Sequence, residues 1–246
     1  MHTLLLRRFR TALFLLPIAA ACGDDPIAPF DPSRDLRLRM VNASVAPGGS
    51  AEFLLDGQSA GVLAYARSSP YFQVTGGSRT IVMRDEPDPD GLPGPTLFTT
   101  TVALTAGQFQ TVVIAGAGSD LTAITTTELS GAPSGNFRLR VVHAGPTTPS
   151  LDLYVTAVGA DINAATPLIS GIDPREVTDY QVITFGIYQI RLTTAGTKDV
   201  VIPSNPSQEP LTFEDGQVAT LLILDNLTSG QPPAGVILPD GGDLDS

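Results

Sequence analysis

The sequence predicts an all-β chain built as two tandem immunoglobulin-like β-sandwich domains. Three observations carry the prediction. Phe137 to Ala144, FRLRVVHA, is a second copy of Leu36 to Ala43, LRLRMVNA. Apolar residues alternate with polar ones over short runs, and the 24 glycines and 21 prolines fall between those runs. Helical spacing of apolar residues is hard to find.

The repeat extends beyond its opening strand. Glu52-Phe53-Leu54-Leu55 is echoed by Asp152-Leu153-Tyr154-Val155, Gly77 to Met83 by Gly186 to Leu192, and Gly107 to Ile114 by Gly216 to Ile223. The blocks keep their order in both halves, as two copies of one fold require. This divides the chain into a first unit over 36–129, a linker over 130–136, a second unit over 137–239 and an acidic tail over 240–246.

Residues 1–21 read as a signal peptide. Arg7, Arg8 and Arg10 precede the apolar run Thr11 to Ala21, which is too short to span a bilayer comfortably. The run ends in Ile18-Ala19-Ala20-Ala21-Cys22, a pattern similar to a bacterial lipobox, with Ala19 where leucine is usual. Small residues let the peptidase approach the backbone, and the Cys22 thiol takes a diacylglyceryl group before becoming the new N-terminus. Cys22 is the only cysteine, so it has no intramolecular disulfide partner. Lipidation at Cys22 is therefore the expectation, with anchoring worth about 0.8 kcal/mol per buried CH₂. Residues 22–35 then hold the lipidated cysteine and an extended tether rich in acids and prolines.

In the first unit, Leu36, Leu38 and Met40 alternate with Arg37 and Arg39, giving a strand with one apolar face. Ala51, Phe53 and Leu55 form the next, with Glu52 on the other face. Pairing of these two strands would set Arg39 against Glu52 on an exposed surface. Further strands are expected near 61–66, 71–75, 78–84, 97–104, 109–115 and 122–128. Val112-Val113-Ile114 is apolar without alternation, as in a central strand covered on both faces.

Phe137, Leu139 and Val141 restart the pattern as inward residues, with Arg138 and Arg140 outward. Leu151, Leu153 and Val155 follow, with Asp152 and Tyr154 opposite. Tyr188, Ile190 and Leu192 make another strand. Val218 to Leu224 repeats the doubly apolar one.

Composition narrows the partners. Formal net charge is -11, and removal of the leader leaves 11 basic residues against 25 acids, or -14. Phosphate neutralisation supplies most nucleic-acid affinity, so no nucleic acid is expected as partner.

Few residues suggest chemistry. Glu86, Asp88 and Asp90, with Gly91, have the spacing that opens a calcium-binding EF-hand loop, but Leu97 stands where its closing glutamate belongs. The insertion reads first as a solvated hairpin tip, with these three acids as the candidate calcium ligands. His143 has core parity at a strand end beside a Gly-Pro turn, and Asn42 occupies its place in the first copy. A ring that fills the sandwich rim and bonds a turn backbone is the expectation there. Lys198 is the single lysine, in a polar turn. No nucleophile elbow, phosphate loop, His-Glu-x-x-His or Cys-x-x-Cys is present.

Leu139 to Pro146 with Leu151 to Val155, Tyr180 through Gly186 to Ile190, and Gly216-Gln217 before Thr220 carry a family resemblance. The chain resembles domain of unknown function 4397, found in bacterial envelope lipoproteins and often in tandem. The resemblance covers nearly all of the second unit and, more weakly, the first, where Asn42 replaces the family's histidine. It implies a β-sandwich on the cell envelope, with no established activity, no catalytic residues and no cofactor.

The functional expectation is a non-enzymatic envelope lipoprotein displaying two sandwich domains for adhesion, structure or binding of an envelope protein or polysaccharide. A calcium- or glycan-binding accessory protein is the second reading, and a carboxylate-based hydrolase the third. Export with lipid anchoring is expected in each, in the outer membrane where the organism has one, since Gly23 is no acidic retention signal.

Overall fold

The computed structural model describes residues 30–45, 49–88, 90–203, 210–225 and 233–241. Everything described from Asp31 onward belongs to one compact unit. Its first half contains β1 (Asp35–Ser44), β2 (Ser50–Leu55), β3 (Gln58–Ala64), β4 (Arg67–Ser68), β5 (Phe72–Thr75), β6 (Gly77–Asp85), β7 (Thr96–Leu104), β8 (Phe109–Gly116) and β9 (Thr122–Glu128). The second half contains β10 (Asn136–His143), β11 (Leu151–Thr156), β12 (Ile169–Ile172), β13 (Gln181–Thr184), β14 (Gly186–Thr194), β15 (Val200–Pro203), β16 (Leu211–Phe213), β17 (Val218–Leu224) and β18 (Ala234–Pro239).

Strands pair in the same way in both halves. The first has one sheet in the order β4-β1-β8-β9, with β5 also on β1, and another in the order β3-β2-β6-β7. The second has β13-β10-β17-β18 and β12-β11-β14-β15, with β16 also on β14. β1 runs parallel to β8, and β10 parallel to β17; the remaining pairs are antiparallel. Registers superimpose position by position, Arg37 facing Phe109 as Arg138 faces Val218. Where β7 is continuous, its counterpart is divided between β15 and β16.

Each half closes over its own core. Leu36, Leu38 and Met40 of β1 meet Phe53, Ile81 and Met83 of the facing sheet. Phe137, Leu139 and Val141 of β10 meet Leu153, Ile190 and Leu192 in the same arrangement, with Phe137 stacked on Phe213 at 4.2 Å. Alternation along the strands thus produces the sandwich, as the sequence predicts.

The opposite faces of β1 and β10 are buried too. Val41, Ala43, Val113, Ala115 and Ile124 pack against Val142, Ala144, Leu222, Leu224 and Leu238 in a third apolar core. These are the residues that break the alternation in the central strands, and they explain why β8 and β17 are apolar on both faces. The two halves are joined by a hydrophobic interface rather than set end to end on a free linker. The connecting segment is itself pinned: Ala132 N donates to Gly216 O at 3.0 Å, and Gly135 N to the Asp215 carboxylate at 2.6 Å.

Two sequence expectations are corrected here. β1 pairs with β4, β5 and β8, never with β2, so Arg39 and Glu52 lie in different sheets. Arg39 and Arg140 do not face solvent; each is about 4% exposed, on the face that the other sandwich covers.

Candidate functional site

The ionisable groups concentrate where the two sandwiches meet. Parallel pairing sets Arg39 beside Thr111 and Arg140 beside Thr220, and each arginine Nε donates to its neighbouring threonine hydroxyl at 2.9 Å. Tyr71 and Tyr180 lie over the guanidinium groups at 4.8 and 4.5 Å. Two carboxylates complete the cluster, Glu128 at the end of β9 and Asp240 just after β18.

Its contacts are reciprocal. Arg39 Nη1 donates across the interface to Pro239 O at 2.6 Å, and Arg140 Nη1 donates back to Thr127 O at 2.8 Å. Pro239 and Thr127 immediately precede Asp240 and Glu128, so the halves meet as an isologous pair does, about an approximate two-fold axis. The Nη2 atoms depart from this symmetry. Arg140 Nη2 donates to Thr126 Oγ1 at 3.0 Å and lies 3.7 Å from Asp240. The residue that matches Thr126 by register is Leu238, which has no acceptor. Arg39 Nη2 instead binds Asp240 at 2.8 Å and Glu128 at 3.0 Å.

Two cations and two anions are therefore buried with their hydrogen bonds made. Tyr71 donates to Glu128, and Tyr180 donates to Asp240 at 2.6 Å. Thr111 and Thr220 hydroxyls donate to the same two acids, and Gly241 N reaches Glu128 at 2.9 Å. Burial, reinforced by the adjacent carboxylates, pushes both tyrosine hydroxyls well above their ordinary range. Chemically, the arrangement fixes orientation: every charge is directed at another part of the chain.

A second contact lies at the far ends of β1 and β10. Tyr65 donates to Asp225 O, and Arg175 binds Asp120 at 2.5 Å. Burial, with the Asp225 charge beside it, raises the Tyr65 hydroxyl to about 12. One set of contacts near the strand starts and another at the strand ends mean that β1 and β10 run in the same sense.

Asp240 was expected in a loose acidic tail, and it is instead a buried member of the junction; residues 242–246 lie outside the described part. This centre is missed by sequence reasoning, although Arg39 and Arg140 at matching repeat positions, with an acid closing each unit, are the signal that marks it.

The sequence-predicted sites are distributed elsewhere. Cys22 lies outside the described residues. Glu86, Asp88 and Asp90 are exposed, and the Asp88 carboxylate accepts from Asp90 N at 3.0 Å and Leu92 N at 2.8 Å, closing its own turn. Among the described residues, no group of three His, Cys, Asp or Glu side chains converges as a metal site. His143 is fully buried, with Nε2 3.2 Å from Pro149 O, the turn contact its position predicts. Burial lowers its pKa, against the raising effects of that bond and the Asp225 charge. Asn42 at the equivalent place donates to Leu63 O at 2.8 Å and accepts from Ser44 N at 3.0 Å. Lys198 donates to Ala165 O at 2.5 Å and to Tyr154 Oη at 3.1 Å, so it braces a loop. Asp152, expected opposite the core, is buried and caps two loops through Gly171 N and Gly196 N, both at 2.8 Å.

Residues 35–154 match the family described as Domain of unknown function (DUF4397). The match thus falls on the first sandwich and the opening of the second, where motif reading placed it chiefly on the second. No curated protein matches the chain. A solved structure described as alpha-glucan binding by a streptococcal virulence factor is 9% identical, with 76% of this chain and 92% of that one covered and a TM-score of 0.24. A leucine-rich repeat protein from Bacteroides thetaiotaomicron is 13% identical, with 76% and 25% covered and a TM-score of 0.21. At such TM-scores neither likeness bears on function.

Proposed function

We propose that this chain, which belongs over residues 35–154 to the DUF4397 family, is a non-enzymatic, lipid-anchored envelope protein that presents two joined β-sandwiches as one rigid binding or structural module. The observation that carries this reading is the junction. Arg39, Arg140, Glu128 and Asp240 are bound to one another and to main chain, and His143 and Lys198 are engaged in turn and loop contacts. Groups of the kind that perform catalysis elsewhere here hold the fold.

A rigid body of this kind suits presentation of loops and strand edges at a surface. The lipobox-like Ile18-Ala19-Ala20-Ala21-Cys22 supports attachment to a membrane. The test is to express the full chain and a Cys22→Ser variant in a bacterium fed radiolabelled palmitate. Label and membrane association in the parent, both lost in the variant, are expected. Unlabelled parent protein in the soluble fraction would remove the anchored reading.

A further inference from the structure

The two copies differ at one turn. In the first sandwich β5 leads through Gly76 into β6, and Gly76 N donates to Arg34 O at 2.6 Å. In the second β13 leads through Phe185 into β14, and Phe185 N donates to Gly135 O in the same way. The backbone is repeated, but the side chains are not. By register, Gln73, Gly76 and Ser78 correspond to Val182, Phe185 and Ile187. A side chain on Gly76 would have no room, because its Cβ would lie 2.9 Å from Ala106 N. Phe185 has that room and uses it outward: Val182, Phe185 and Ile187 are 52%, 49% and 58% exposed.

Their directions exclude a flat protein-docking face. Ile183 and Tyr188 point into the second core, so Val182 and Ile187 stand on opposite outer sides of the sandwich with Phe185 at the tip between them. This is an apolar wedge whose three side chains are each about half exposed. Its position is also defined. Thr184 pairs with Asn136 at the start of β10, and Thr75 pairs with Asp35 at the start of β1. Since β1 and β10 run in the same sense, the wedge is at the end of the molecule where Asp31 begins the compact unit. Eight residues lie between Cys22 and Asp31, a tether of at most about 30 Å.

We propose that the Val182-Phe185-Ile187 tip inserts into the surface of the lipid bilayer that carries the anchor, giving the protein a second membrane contact. The proposal rests on the lipid-anchored reading of Cys22. The cations at this end are arginines, Arg138 pairing with Val182 and Arg34 lying at the matching turn of the first copy, and Asp215 is hydrogen-bonded beside the turn. Attachment of the three apolar side chains to a bilayer of zwitterionic lipid is indifferent to salt, unlike attraction of these arginines to anionic headgroups.

The test uses the full chain, matured in a bacterial host and reconstituted into phosphatidylcholine vesicles, after the mass of its N-terminal residue has been recorded. Ile187→Cys carries an environment-sensitive dye, with Val62→Cys as the exposed control on another edge. Quenching of the dye at 187 by lipid-borne quenchers, unaltered by salt, absent at 62 and reduced about tenfold by Phe185→Ser, is expected. An aqueous dye at 187 in protein whose Cys22 is lipidated overturns the tip contact and leaves the anchor standing. Unmodified Cys22 overturns the anchor; the dye at 187 is then read in a Cys22→Ser background with added vesicles, and absence of quenching there overturns the tip as well. Burial of the dye that rises with protein concentration and needs no lipid identifies a second copy as occupant and also overturns the proposal.

Discussion

Arg39 and Asp240 are separated by 201 positions in the chain and by 2.8 Å in the fold, from guanidinium nitrogen to carboxylate oxygen. Both side chains are almost wholly buried. Taking such charges out of water is costly, and the cost is offset here by complementary charge, by Thr111, Tyr71 and Tyr180, and by the Pro239 carbonyl. Removing one member leaves the others uncompensated.

Arg39→Ala should therefore lower the free energy of unfolding by about 3–5 kcal/mol, read from the midpoint of a urea transition. Arg39→Met and Arg140→Met combined with Glu128→Gln and Asp240→Asn should cost less than that single change, because no buried charge is stranded. A greater cost for the quadruple variant would mean that the charges stabilise beyond their mutual compensation.

Asp240→Ala should destabilise by about 3 kcal/mol, while Glu52→Ala should stay within about 0.5 kcal/mol. The pair of variants separates the observed partner of Arg39 from the one that strand pairing of β1 with β2 would have supplied. Equal effects would contradict the observed sheet order.

His143 gives the protein a defined acid sensitivity. Its folded pKa is depressed, chiefly by burial, below the ordinary imidazole value of about 6.5. Above that value both states are neutral and the group contributes no slope. As pH falls below it, the unfolded chain binds a proton that the folded one refuses, so stability declines down to the folded pKa. His143→Asn, the residue of the first copy, should flatten the decline that sets in below about pH 6.5, measured by urea unfolding at each pH. An unchanged slope would place the titration elsewhere.

Millimolar calcium should leave the melting temperature unchanged, because Asp88 is already bound to the main chain of its turn and Glu86 and Asp90 are exposed. An upward shift that disappears in Asp88→Ala would revive the calcium reading.

The sequence made the strands legible because one face of each follows an apolar alternation, and the repeat made their order legible. What it concealed was the second face. Val41 and Val142 have the strand parity of Arg39 and Arg140, and an arginine in a strand reads as solvent-facing because its charge ordinarily is. Only its burial against the other copy, 101 positions away in the chain, reverses that meaning. Asp240 was concealed for a related reason: it opens an acidic run, and composition there says nothing about the one carboxylate that meets Arg39. The unbroken apolar runs Val112-Val113-Ile114 and Leu221-Leu222-Ile223 did signal cover on both faces, without saying that the cover is the other copy.

Calorimetry of the full mature chain tests most directly whether the two copies form one body. Shared apolar packing through Val41, Val113, Val142 and Leu222, with the Arg39 and Arg140 contacts, predicts a single transition whose calorimetric and van't Hoff enthalpies agree. Leu222→Ala, costing about 2–5 kcal/mol, should move that whole transition down without splitting it. Two resolved transitions in the parent protein, with only one responding to Leu222→Ala, would contradict the account.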